Sequence, residues 1–121
     1  MIILVLSVTA FAGINIWIGQ SVKQHIALAQ YRYAGTAEDA LMALLLDETN
    51  SPQDRTHIAV WTLGQIRSEK ALTCLHDLYK DDPKGVSCKG RHDEVLCQYE
   101  LFKAIRAIER YRPFSHARFN R

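Results

Sequence analysis

Charge is missing from the start of the chain. The 121 residues include 15 Lys+Arg and 13 Asp+Glu, yet all 28 lie between Lys23 and Arg121 and residues 1 to 22 carry none. Also missing are a glycine-rich phosphate loop, a serine in a nucleophile-elbow context and paired C-x-x-C motifs, so nucleotide chemistry, serine hydrolysis and a standard zinc ribbon have no sequence support. Cysteine and proline are scarce, at 3 each, and glycine stands at 6. With 48% hydrophobic residues the chain is not intrinsically disordered. The length excludes a multidomain enzyme, and a large buried active-site cleft needs more water-soluble chain than the 99 residues that follow the charge-free segment.

Residues 2 to 22, IILVLSVTAFAGINIWIGQSV, have Ser7, Thr9, Asn15, Gln20 and Ser21 as their only polar side chains. As a helix this run extends about 31 Å, matching a hydrocarbon core of about 30 Å. Lipid offers backbone groups no partners, so a span must be helical. Trp17 lies toward the end that runs into Lys23 and His25, where an interfacial aromatic belongs. A single-pass membrane anchor is therefore expected. The rival is a cleaved signal peptide, because Ala27-Leu28-Ala29 before Gln30 has a small-x-small form. Against it, no Lys or Arg precedes the apolar run, and Lys23 and His25 interrupt the approach to Ala29. Lys23 and Arg32 weakly favour a cytoplasmic C-terminal domain. Residues 23 to 34 read as a helical stalk, Gly35 as a breaker and Thr36 as the cap of the next helix, with Glu38 and Asp39 in its first turn.

Beyond the stalk the chain repeats itself. Ala40-Leu41-Met42-Ala43-Leu44 aligns with Ala71-Leu72-Thr73-Cys74-Leu75, and Glu38 falls on Glu69 at the same offset. A second alignment sets Ala59, Leu63 and Ile66 on Leu101, Ile105 and Ile108. Each segment has the apolar spacing of a helix with one buried face. Asn50-Ser51-Pro52 separates the first two helices, Ser68 can cap the third, and Asp81-Asp82-Pro83 is expected to end it. The stretch from Arg55 through Ala59, Leu63-Gly64, Ile66 and Ala71-Leu72 to Leu75 resembles a HEAT repeat of the phycobilisome-lyase type. The resemblance is close over Arg55 to Leu75 and loose from Thr36 to Tyr111. It implies an all-α fragment of an α-α superhelix, with about four helices over 35 to 112, and a protein-binding scaffold role; lyase activity is not carried over. Gly64 suits a close helix crossing or a C-terminal turn, and Tyr111, Pro113 and Phe114 are placed to cover the last helix.

The second offset exceeds the first, which puts an insertion loop at Pro83 to Asp93. It carries Cys88 and His92, with Cys97 expected in the first turn of the following helix. Three readings stay open. Cys88 and Cys97 could form a disulfide, which would favour an oxidising compartment. Cys88, His92 and Cys97 could bind zinc, with Cys74 or His76 as a fourth ligand, although C-x3-H-x4-C is not a strong metal pattern. The thiols could simply be reduced and apolar. A metal or thiol enzyme is the least favoured class, and no catalytic residue is assigned.

Residues 34 to 82 hold nine acids and four bases, while 83 to 121 hold nine bases and four acids. The segment from Arg110 to Arg121, which includes the tail over 113 to 121, is basic and aromatic; Arg110, Arg112, Phe114 and Arg118 from it, with Trp61 as an interface anchor, are the candidate interaction residues. The expected partners are another protein and, through residues 2 to 22, the lipid bilayer. No nucleic acid is expected, since no recognised binding module is present.

Overall fold

A computed structural model describes residues 2 to 110, without the side chains at 2 to 4, 6 to 8 and 11. The expected cover from Tyr111, Pro113 and Phe114, and the candidates Arg112, Phe114 and Arg118, lie outside these residues. All described elements are helical.

The first helix, α1 (Ile2–Arg32), is unbroken for 31 residues, about 46 Å of helix. Its two halves meet different surroundings. Val5, Ile14, Ile16 and Trp17 are exposed, whereas Ile26 and Tyr33 pack against the core and Ala29 is fully buried. Among the described residues no helix is long and apolar enough to cross a membrane. Much of the apolar run, at 2 to 4, 6 to 8 and 11, falls outside the described side chains. The segment expected to be a stalk is instead part of the packed domain, because Ile26, Ala29 and Tyr33 recur on one helix face.

Thr36 caps α2 (Ala37–Leu46), its hydroxyl accepting from the Asp39 amide at 3.2 Å. The face formed by Ala40, Leu41, Leu44 and Leu45 is buried. Ser51 caps the next helix, with Pro52 at the position that needs no amide donor. This helix, α3, runs over 52 to 65 and contains a π-helical stretch at Arg55–Val60, which hands over to Trp61–Gln65. It ends in a left-handed turn at Arg67, where Ser68 donates to the Leu63 carbonyl and Arg67 to that of Gly64. Gly64 is therefore not the turn residue. It lies where α3 crosses the last helix, and a Cβ there would stand 3.0 Å from Ala104.

Ser68 also caps α4, which opens as a 3-10 turn (Glu69–Ala71) and continues through Leu72–Leu78. The Ser68 hydroxyl donates to the Glu38 carboxylate, joining the starts of α2 and α4. The helix stops at Leu78, earlier than the Asp81-Asp82-Pro83 boundary expected. The buried Gln98 takes up the loose ends: its side-chain carbonyl accepts from the Lys80 amide at 2.6 Å, and its amide donates to the Leu78 carbonyl at 3.3 Å. The last helix is α5 (Gln98–Arg110), so Cys97 directly precedes it instead of lying in its first turn.

Helix α3 packs on α1, α2 and α5, while α4 packs on α5 and its first turn meets α2. The second half of α1 packs on α2 and α3. The two internal alignments set α2 against α4 and α3 against α5. Ala40, Leu41, Leu44, Ala71 and Leu75 of the first alignment and Ala59, Leu63, Leu101, Ile105 and Ile108 of the second are all buried in one core.

Candidate functional site

Chemistry concentrates where the insertion loop returns to α3. Asp82 orders the start of the loop: its carboxylate accepts from the Val86 amide at 3.0 Å and from the Ser87 amide and hydroxyl at 2.9 and 2.7 Å. These bonds, led by the Ser87 hydroxyl, hold the Asp82 carboxyl below its usual range. Gly85 adopts φ +64°, and a Cβ there would meet Tyr99 Cβ at 2.5 Å, so the turn and the close approach both require glycine. A 3-10 turn (Val86–Cys88) then brings Cys88 inward.

Cys88 and Cys97 are both buried and joined by a disulfide, with Cα atoms 5.0 Å apart. The Cys97 amide, which no helix partner would satisfy, donates to Thr56 Oγ1 on the π-helical stretch of α3 at 3.1 Å. A ring nitrogen of His92 lies within 4.8 Å of both sulfurs. His57 comes from the same π-helical stretch, its Nε2 2.9 Å from His92 Nδ1, with the two ring planes 16° apart. Neither residue expected as a fourth zinc ligand belongs to this group. His76 faces Glu109 at 3.5 Å, and Cys74 is a free half-buried thiol whose pKa is raised, first by burial and then by Asp77.

His57 also lines a second feature. Trp17, Ser21 and His25 on α1 face His57 and Trp61 on α3 across an open groove of about 290 Å³. Each set repeats every four residues, so the groove is two side-chain ladders set against each other. Its floor is held by His25, whose Nδ1 lies 2.9 Å from Thr62 Oγ1 and whose ring meets Trp61 edge-on at 5.5 Å. Burial lowers the His25 pKa. Of the candidate interaction residues, Trp61 is thus in the groove, and Arg110 is exposed at the far end of α5.

The polar network at the end of α1 fixes that helix to the α2–α3 turn. Tyr33 donates its hydroxyl hydrogen to Asp47 at 2.5 Å, Asn50 donates to the Tyr33 oxygen at 2.8 Å and to the Leu44 carbonyl at 3.0 Å, and Arg32 donates to Asn50 at 3.3 Å. Bonds from Thr49 and Tyr33 hold the Asp47 carboxyl at about 2.

The role of His57 was not readable from the sequence, since it and His92 are 35 positions apart and share no motif. No protein family model matches this chain, and no curated protein or solved structure is significantly similar to it.

Proposed function

We propose that this protein is a single-pass membrane-anchored, HEAT-like helical module that binds another protein beside the bilayer, and that it is not an enzyme. The observation that carries this reading is α1. One uninterrupted helix joins the charge-free run, with Val5, Ile14, Ile16 and Trp17 exposed, to a core that buries Ala29. Side chains of that size and number are costly to leave in water, at about 25 cal/mol per Å² of apolar surface. A bilayer would cover them on every face. The anchor would then be a rigid strut that holds the groove of Trp17, His25, His57 and Trp61 at the membrane surface.

The repeat-like part of this reading rests on the internal alignments, whose apolar positions Ala40, Leu41, Leu44, Ala71 and Leu75 and Ala59, Leu63, Leu101 and Ile105 are all buried. Cleavage after Ala29 is disfavoured, since it would remove Ile26 and Ala29 from the core and break the contact of His25 with Thr62. The disulfide favours an oxidising side for the domain over the weak bias of Lys23 and Arg32. A thiol enzyme is disfavoured because a nucleophilic cysteine needs an accessible thiolate, and Cys88 is buried and bonded. The test is extraction of membranes at alkaline pH in carbonate. The reading requires the full-length chain to stay in the pellet until detergent is added. Release by carbonate or salt, or an intact mass that begins near Gln30, would overturn it.

A further inference from the structure

We infer that Cys88, Cys97, His92 and His57 form a tetrahedral zinc site whenever the disulfide is reduced, so that one group of residues alternates between a covalent and a metal staple. Ligand identity and geometry both point there. Two thiolates and two imidazoles are a standard donor set for structural zinc, and Zn–S and Zn–N bonds of about 2.3 and 2.0 Å set ligand atoms about 3.3 to 3.8 Å apart. The sulfurs and a His92 nitrogen already lie within 4.8 Å of one another, and His57 Nε2 is 2.9 Å from His92 Nδ1. Cys88, His92 and Cys97 thus supply three ligands already grouped, and His57, outside that trio but against His92, completes the sphere by turning its ring toward the sulfurs.

The ligands come from the loop, from the residue before α5 and from α3, so a metal held by all of them ties three segments together. Cys88 follows the Gly85 turn, His92 lies later in the same loop, Cys97 is pinned by Thr56, and His57 stands on α3. The loop has a need for such a staple. Val86, its one large apolar side chain, is 75% exposed, and Cys88 is its main buried contact. Hydrophobic burial therefore contributes little to holding residues 83 to 93 in place, and reduction of the disulfide leaves that task to another bond. The chemistry balances. A dithiol reductant transfers two hydrogens to the disulfide and becomes a disulfide itself; the two thiols then release about two protons as they bind one Zn²⁺. The inference is independent of the membrane reading and of which side the domain faces.

The full-length protein in detergent is reduced with dithiothreitol, desalted under argon and titrated with Co²⁺, then with Zn²⁺. The expected result is one ion per chain, thiolate-to-cobalt charge transfer with tetrahedral ligand-field bands, displacement by Zn²⁺, and no such spectrum from the oxidised protein. H92A and H57A should each weaken binding by more than about 100-fold, beyond the usual effect of a supporting residue. C74S and H76A should bind as the parent does. His57 is exposed, so H57A leaves the core intact, and H57Q provides a second variant at the same position. The inference fails if the reduced parent binds cobalt no more tightly than C88S/C97S. It fails equally if both His57 variants keep the parent spectrum and affinity.

Discussion

At Gly64 any side chain would push a Cβ to 3.0 Å from the Cα and Cβ of Ala104, on a helix that cannot yield locally. Gly64→Val should therefore lower unfolding stability by about 1 to 3 kcal/mol, the usual penalty for overpacking, as read from the midpoint of a denaturant titration. An unchanged midpoint would mean that α3 and α5 separate at no cost. Asp47 makes a pH-dependent contribution. Its folded carboxyl titrates at about 2 against an ordinary 3.8, so the stabilisation is fully present above the ordinary value and is lost as pH falls from about 4 through 2. Asp47→Asn should flatten the stability profile over that interval. His25 acts with the same sign at a higher pH. Its pKa is lowered by burial, so the folded state resists protonation and stability declines as pH falls below 6.5. His25→Gln should abolish that decline in thermal unfolding measured between neutral pH and pH 5.

At the scale of elements, α1 behaves as two materials in one helix. Its first part buries nothing that has been described within the domain, and its second part is core. Removing residues 1 to 20 should leave a folded domain, whereas removing residues 1 to 29 should abolish cooperative unfolding, because Ala29, Ile26 and the contact of His25 with Thr62 go with it. Circular dichroism melting of the two truncations decides this; equal cooperativity would show that α1 is dispensable to the fold. Much of the element order was legible in the sequence. Thr36, Ser51 and Ser68 announce helix starts because a hydroxyl beside unpaired amides has one favourable use. The end of α4 was not legible, since Gln98 holds Leu78 and Lys80 from twenty and eighteen residues away.

At the scale of the whole molecule, the Cys88 and Cys97 crosslink spans about ten residues, for which chain entropy alone gives about 2 to 3 kcal/mol. C88S/C97S should retain the helical spectrum while protease cuts the loop near Lys84, Lys89 and Arg91 faster than in the parent. A cleavage pattern that does not change would show that Asp82 and Thr56 suffice to hold the loop. The candidate site as a whole was only half visible in sequence. Cys88, His92 and Cys97 stand close along the chain and could be grouped by spacing, but His57, Trp61, His25 and Trp17 meet only through the packing of α1 on α3.

The charge-free run, the helix starts and the apolar faces could be read along the chain, because each depends on neighbours within a few residues and on solvent. That the supposed stalk is core, that Gly64 serves a crossing while Arg67 makes the turn, and that His57 joins the cysteine loop emerge from the packing of the helices. Those outcomes depend on which surfaces meet across 30 or more residues of chain, and spacing along the sequence carries no record of that distance.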